Sequence, residues 1–375
     1  MTVKKNLNIE IQQINRSNIY QHFFESEHLT KQNIVSDLQL CLPTVTKNID
    51  DLLQNKLIQI SGSQGHTGGR RAATYSLIKD AKIALGIDIT LNHITIVAVD
   101  LTGNIITSIR QRIAFETTPQ YYQYVADILA DLIAQNRFTN EQILGVGIGL
   151  PALVDIDRKS ILFSKIIQID NRIFDEFSKY IPYPIQLFND ANAAAYTETW
   201  KNPTIQNAFY LMLSNNIGGS MVINGSVYHG DSQKSGEIGH IPLVPNGKPC
   251  YCGQNGCVDA YLAATNLSNH TNGNLELFFE KIQEGNESLT QVWHEYLNHL
   301  ASTVNILHIL LDCNVILGGY VGGYIEPFIS ELRDYTGKLD TFSQHGNYLQ
   351  LCSYKKESIA AGAALNFISE FINSI

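Results

Sequence analysis

Twice along this 375-residue chain, three strand-like segments run in succession and are followed by helix. The first set reads Ile83–Ile89, His93–Val99 and Gly103–Ile113, ahead of a helical stretch at about 118–136. The second begins near residue 207, in AFYLMLSNNIGGSMVINGSVYHG. It leads to a helical stretch at about 276–312, the strand Val315–Leu317 and a closing helix at about 357–374. Leu144–Leu150 and Ile185–Phe188 are short continuous apolar runs, which suit buried strands. Such tandem units predict a duplicated α/β architecture with a cleft between its halves. The length is also too great for one ordinary core.

The first 80 residues follow another pattern. Ile11, Ile14, Ile19, Phe23 and Phe24 recur at roughly helical spacing. Thr30 is placed to N-cap a second helix with Ile34, Val35 and Leu38 inward. After a break at Leu40–Leu42, Pro43 starts a third helix with Val45, Ile49, Leu52 and Leu53 on one face. Leu57–Ile60 and Thr74–Leu77 then read as two strands around the glycine-rich tip SGSQGHTGGRR. Three helices followed by a hairpin is the order of a winged helix-turn-helix.

In that motif the second helix of the pair enters the major groove. Thr44, Thr46, Lys47 and Asn48 are expected to face outward from it. Threonine and asparagine read base edges, and lysine meets phosphate. Arg70 and Arg71 on the tip suit phosphate or minor-groove contact. The alternative is a small helical appendage with a solvated basic turn. The net charge runs against nucleic-acid binding, and only the N-terminal segment has a mildly basic balance, too small by itself to establish a DNA-binding face. Residues 1–80 carry nine basic and seven acidic side chains, while the remainder carries 17 basic against 28 acidic and holds the overall charge at −9.

With 44% hydrophobic and 16% charged residues, the composition is that of a soluble α/β protein. No apolar run reaches the roughly 18 residues of a membrane span. MTVKKNLNIE lacks the apolar core of a signal peptide, so a cytoplasmic location is expected.

Three of the six cysteines crowd into CYCGQNGC at 250–257. Gly253 and Gly256 allow the chain to bend so that the thiolates of Cys250, Cys252 and Cys257 converge. A structural zinc takes four ligands, and His240 in GEIGH is the nearest good fourth. A Cys3His structural Zn2+ site is expected; the alternative is three reduced cysteines in a surface loop. Cys41, Cys313 and Cys352 stand singly in apolar surroundings and read as small buried hydrophobes.

Together these motifs resemble the transcription-factor branch of the ROK family (repressors, open reading frames and sugar kinases), which includes xylose and N-acetylglucosamine repressors. The resemblance runs over nearly the whole chain. It rests on INRSNIYQHF at 14–23, TGGRR at 67–71, GVGIGLPALVD at 145–155, NDANAAAYTE at 189–198, GEIGHIPL, CYCGQNGCVDAY and VILGGYV at 315–321. It implies a winged helix-turn-helix over 1–80, followed over 81–375 by an actin-like, sugar-kinase-like fold. One lobe would span about 81–188 plus the C-terminal helix, the other 189–355.

By the family pattern, Asn189, Asp190, Glu237 and His240 would contact a sugar, with Asp190 at the kinase base position. Asp259 stands where the family usually has glutamate, and would contact the sugar with one methylene fewer. Phe188 replaces an acidic residue often found before Asn-Asp. On residue types alone, Asn189-Asp190 is equally an ordinary cap for the alanine-rich helix that follows.

Family kinases hold ATP phosphates against glycine-rich loops. Here the matching stretches read Asp88-Ile89-Thr90-Leu91-Asn92 and Ser214-Asn215-Asn216, without their glycines. Phosphoryl transfer depends on positioning, so loss of kinase activity is expected. The resemblance implies a sugar-responsive repressor binding double-stranded operator DNA as a homodimer or homotetramer. One alternative is an active sugar kinase with an N-terminal regulatory appendage. Another is a DNA-binding protein answering to a phosphosugar or a protein partner.

Overall fold

The computed structural model describes residues 2–64, 72–169, 171–342, 346–354 and 356–375, with side chains from residue 12 onward and not at 64. Arg70 and Arg71 lie outside the described residues. No helix among the described residues is long and apolar enough to cross a membrane.

The first module runs α1 (Thr2–Glu25), β1 (Leu29–Thr30), α2 (Lys31–Leu38), α3 (Leu42–Gln54), β2 (Ile58–Gln64) and β3 (Ala72–Leu77). Its three strands pair antiparallel in the order β1-β3-β2. Thr30 caps α2 as its position predicts. Its hydroxyl accepts the Asn33 amide at 3.1 Å, and Asn33 Oδ1 accepts the Thr30 amide at 2.9 Å. This reciprocal box satisfies two amides that a helix start leaves open. Ile19, Tyr20, Phe23, Ile34, Val45, Ile49 and Leu52 form the module's core.

Two expectations for this module need correction. Asn48 does not face outward: it is buried, and its amide donates to the Thr44 carbonyl at 2.9 Å. Val45, Asn48, Ile49 and Leu52 share the 3–4 spacing that defines the inner face of α3. Cys41 is exposed rather than buried, because it precedes α3 as its N-cap residue.

The first lobe contains β4 (Ile83–Ile89), β5 (His93–Asp100), β6 (Ile105–Arg112), α4 (Pro119–Gln135), β7 (Ile143–Leu150), the hairpin β8 (Leu153–Val154) and β9 (Ile161–Phe163), α5 (Ile173–Ser178) and β10 (Ile185–Asn189). Its sheet has the order β10-β7-β4-β5-β6. Helix α6 (Asp190–Lys201) leads into the second lobe, with β11 (Ala208–Leu213), β12 (Ile217–Ile223) and β13 (Ser226–Tyr228). There follow α7 (Asp259–Leu262), α8 (Thr265–Ser268), α9 (Leu275–Gln283), α10 (Glu287–Leu311), β14 (Asn314–Gly318), α11 (Gly319–Gly322), α12 (Ile329–Leu339) and β15 (Leu349–Leu351). The second sheet has the order β13-β12-β11-β14-β15.

The helical stretch read at 276–312 is two helices. Gly285 adopts a left-handed φ of 88°, and Asn286 then caps α10 by accepting the Leu289 amide at 3.1 Å.

The closing helix α13 (Ser358–Ser374) returns to the first lobe and packs on β4, β7 and α6. The glycines of GVGIG serve this packing. A Cβ on Gly147 would collide with the Ala363 carbonyl, and one on Gly145 with the Phe367 ring. Gly362 lies against the Ala193 carbonyl of α6 in the same way.

On its far side α13 meets the first module. Ile19, Tyr20 and Phe23 of α1 share one apolar cluster with Leu365, Ile368 and Ile372. The connection between module and lobe is pinned too: the Lys79 carbonyl accepts the Leu101 amide at 2.9 Å, and the Asp80 carbonyl accepts the Gln142 side chain at 2.9 Å.

Candidate functional site

A cavity of about 260 Å3 opens between the lobes. It is bounded by the β8–β9 hairpin, the start of α6, β12 and the segments around Glu237 and Tyr251. That is below the roughly 300–1,000 Å3 of sites for drug-sized ligands and suits a monosaccharide.

Asn189 lines the cavity and also N-caps α6, where its Oδ1 accepts the Asn192 amide at 3.0 Å. Its Nδ2 donates to the Ala152 carbonyl at 3.1 Å and to Asp190 Oδ1 at 3.2 Å. The capping reading of this residue holds, and of its three hydrogen bonds one goes to Asp190.

Asp190 Oδ1 also accepts the Ala191 amide at 2.8 Å. Burial in the cleft floor, reinforced by the Asp88 and Glu237 carboxylates, pushes its carboxyl up to about 7 against the pull of that amide. Glu237 is raised by burial, with the nearby His240 opposing. Its Oε2 lies 4.0 Å from His240 Nε2.

His240 also belongs to the cysteine cluster. Its Nδ1 is 3.9 Å from Cys250 Sγ, and Cys252 Sγ is 3.7 Å from Cys257 Sγ. The four candidate ligand atoms lie within 4.8 Å of one another. Zn–S bonds of about 2.3 Å would set the sulfurs of a tetrahedron about 3.8 Å apart, so the spacing fits zinc. Gly253 and Gly256 carry the loop through left-handed φ values of 96° and 80°. With Nδ1 turned to the sulfurs, Nε2 faces the cleft, where Tyr251 Oη lies 3.3 Å away.

Asp259 is placed differently from expectation. It is buried off the cavity wall, and its Oδ2 accepts the Ile217 amide at 2.7 Å. The short side chain fastens the turn before β12 and does not line the cleft. Conversely, Tyr251, Phe163 and Lys165 line the cavity although their residue types gave no signal. Tyr251 was traceable as the residue between two cysteines. Phe163 and Lys165 depend on where the hairpin folds.

Asp88 is buried at the end of β4, and its Oδ1 has no hydrogen-bond partner. Burial pushes it up to about 7, with Arg110 opposing. A carboxyl raised in the folded state binds more protons folded than unfolded near neutrality. Its contribution to stability therefore falls as pH rises from about 4 to about 7 and is level above that. Asp88→Asn is expected to stabilise the chain at pH 8 by up to about 4 kcal/mol, and to give no gain near pH 4. Urea unfolding at the two pH values checks this; equal effects at both would contradict the assignment.

Residues 84–368 match the ROK family. The chain is 26% identical over 255 residues to the xylose repressor of Bacillus subtilis strain 168, covering 67% of this chain and 66% of that protein. It is 20% identical over 391 residues to the xylose repressor of Caldicellulosiruptor bescii, covering 97% of each. In structure it resembles a ROK family transcriptional regulator described as a homolog of the Escherichia coli MLC protein. The TM-score is 0.76 at 18% identity, over 97% of each chain, a likeness of fold. The two-lobed fold, the cleft and the cysteine cluster thus stand within a match covering most of the sequence, and the chain belongs to the ROK family.

Proposed function

We propose that this chain is a sugar-responsive transcriptional repressor of carbohydrate-utilisation genes. The observation that carries the reading is the alignment with a xylose repressor along 97% of both chains, the N-terminal module included. In this reading residues 1–80 are a winged helix-turn-helix and residues 81–375 the sensor. Its helix–strand–helix–helix–strand–strand order suits that motif. Helix α3 presents exposed Lys47 beside half-buried Thr44 and Thr46. The Thr44 hydroxyl lies 3.0 Å from Cys41 Sγ, which leaves Thr46 the freer of the two for DNA. Arg70 and Arg71 would add contacts from the strand tip.

A sugar in the cleft would meet Asp190, Glu237 and His240. The chain's own cluster would hold Zn2+ through His240, Cys250, Cys252 and Cys257, fixing the imidazole toward the sugar. Helix α13 touches α6, the first sheet and α1. A change in lobe separation therefore has a packed route to the DNA module. A homodimer or homotetramer would convert that change into altered spacing of two recognition helices, whose half-sites lie about 34–36 Å apart or a multiple of it.

The departures in the phosphate loops support a regulator rather than a kinase. In the Thr90–Asn92 turn, the Thr90 amide donates to the His93 carbonyl at 2.9 Å and the His93 amide to Thr90 Oγ1 at 3.0 Å. These amides are spent within the turn instead of facing a phosphate. Arg110 stacks over Tyr320 at 5.2 Å across the lobes on that side.

The test is retention of fragmented genomic DNA by the intact chain. Fragments upstream of sugar-utilisation genes are expected to be enriched and to share a two-fold symmetric sequence. Lys47→Ala is expected to weaken retention across all sequences and to lower its salt dependence by about one charge. Absence of enrichment, or sugar-dependent ADP release at about 1–100 per second, would contradict the reading.

A further inference from the structure

A second cavity between the lobes, of about 500 Å3, borders the face of α6 that carries Asn192, Ala193 and Tyr196. Both sheets end there: β10 is an edge strand of the first and β13 of the second. Asn189 borders this cavity and the sugar cleft alike.

The walls are built. Arg158 closes the β8–β9 turn at a φ of 56°, a left-handed position usually taken by glycine or asparagine. Such backbone persists where its surroundings hold it. The Arg158 guanidinium lies 4.9 Å over the Phe188 ring, donates to Gln186 Oε1 at 2.8 Å and pairs with Glu370 at 3.1 Å. Phe188 thus supplies the ring on which the guanidinium stacks. From α6, Asn192 Nδ2 contacts His229 Nδ1 of the second lobe at 3.3 Å, while Asn192 Oδ1 has no partner. Whichever way that amide is turned, one of its polar atoms stays buried without a partner beside the cavity.

The charges indicate the ligand class. Arg158 is neutralised by Glu370. Asp157 is spent on the Lys159 and Ser160 amides at 2.9 and 3.1 Å, and Asp155 accepts the Ile156 amide at 2.7 Å. Among the described residues no lysine lines the cavity. What faces it is amide, imidazole, hydroxyl and aromatic ring. These suit hydroxyls and the apolar face of a sugar ring, while among the described lining residues Asp155, Asp157 and Glu370 against the single cation Arg158 disfavour an anion.

We infer that this cavity is a second, interlobe binding site for an uncharged carbohydrate larger than a monosaccharide. It goes beyond the cleft reading and does not depend on it. A ligand touching Gln186 of the first lobe and His229 of the second would favour one lobe separation. It would therefore be coupled reciprocally to whatever binds the cleft.

The experiment is calorimetry on the intact chain carrying Asp190→Asn, with maltose, cellobiose, sucrose and xylobiose as probes. At least one is expected to bind saturably, one molecule per chain. Ser226→Trp, which fills the cavity from the exposed edge of β13, and His229→Ala are each expected to weaken it about tenfold or more, the loss of a packed contact or hydrogen bond. In a chain with native Asp190, monosaccharide binding is expected to survive both substitutions, which also shows that the variants fold. Failure of all four probes to bind overturns the inference. So does binding untouched by Ser226→Trp, or uptake of inorganic phosphate in their place.

Discussion

Cys257→Ala is expected to empty the cysteine cluster of zinc and to remove the chain's response to sugar. Cys257 is fully buried, at 0% exposure, and its removal leaves two thiolates and an imidazole where zinc needs four ligands. The loop around it is otherwise joined by backbone hydrogen bonds, among them the Cys250 amide on the Gln254 carbonyl and the Gly256 amide on the Lys248 carbonyl, both at 2.8 Å. It is also held by the Leu243 and Val244 amides on the Gly256 carbonyl at 2.7 and 3.0 Å and by the Val258 amide on the Ile241 carbonyl at 2.9 Å. Metal binding to such a loop is folding free energy. Its loss is expected to lower stability by a few kcal/mol and to free the His240 ring from its Nδ1 anchor. Metal analysis, thermal unfolding and sugar titration on the same sample check this. Sugar binding undiminished in a zinc-free chain would remove the cluster from the sensing apparatus.

The second large effect is at Asp190. Asp190→Asn keeps the shape of the cleft but loses the carboxylate that two sugar hydroxyls would share. Charge-assisted hydrogen bonds are worth about 1.5–3 kcal/mol each, so affinity is expected to fall about 100-fold or more. The native chain should show a matching pH dependence. Its carboxyl sits near 7, so the binding form is lost as pH falls through 7. Affinity is expected to be level above about pH 8 and to fall about tenfold per unit below about pH 6.5, as linkage of one proton requires. In Asp190→Asn that slope should vanish. Calorimetry between the two limits reads it; a slope that persists in the variant would place the titrating group elsewhere.

Most of the frame was legible from pattern. The central strands β4, β7 and β11 are near-continuous apolar runs, and Thr30 and Pro43 mark their helices through capping chemistry. What escaped depends on contacts far apart in sequence. Leu153–Val154 and Ile161–Phe163 are too short to show a period, yet their hairpin brings Phe163 and Lys165 to the cleft. Asn48 is polar, as a base reader is, but its phase with Val45 and Leu52 puts it inside. Asp259 matched a family position, but its shorter side chain answers to the Ile217 amide. The break at Gly285-Asn286 was readable as a stop followed by a cap, and the apolar periodicity on either side concealed it.

The central claim is that a sugar in the cleft changes the grip of the N-terminal module on DNA. The direct measurement is fluorescence anisotropy of an enriched genomic fragment bound to the intact chain, titrated with each monosaccharide that raises its thermal stability. At least one such sugar is expected to shift DNA affinity by about 5–150-fold, the usual range of coupling between two sites, and to do nothing to the Asp190→Asn chain. Identical DNA affinity with and without every stabilising sugar would contradict the account.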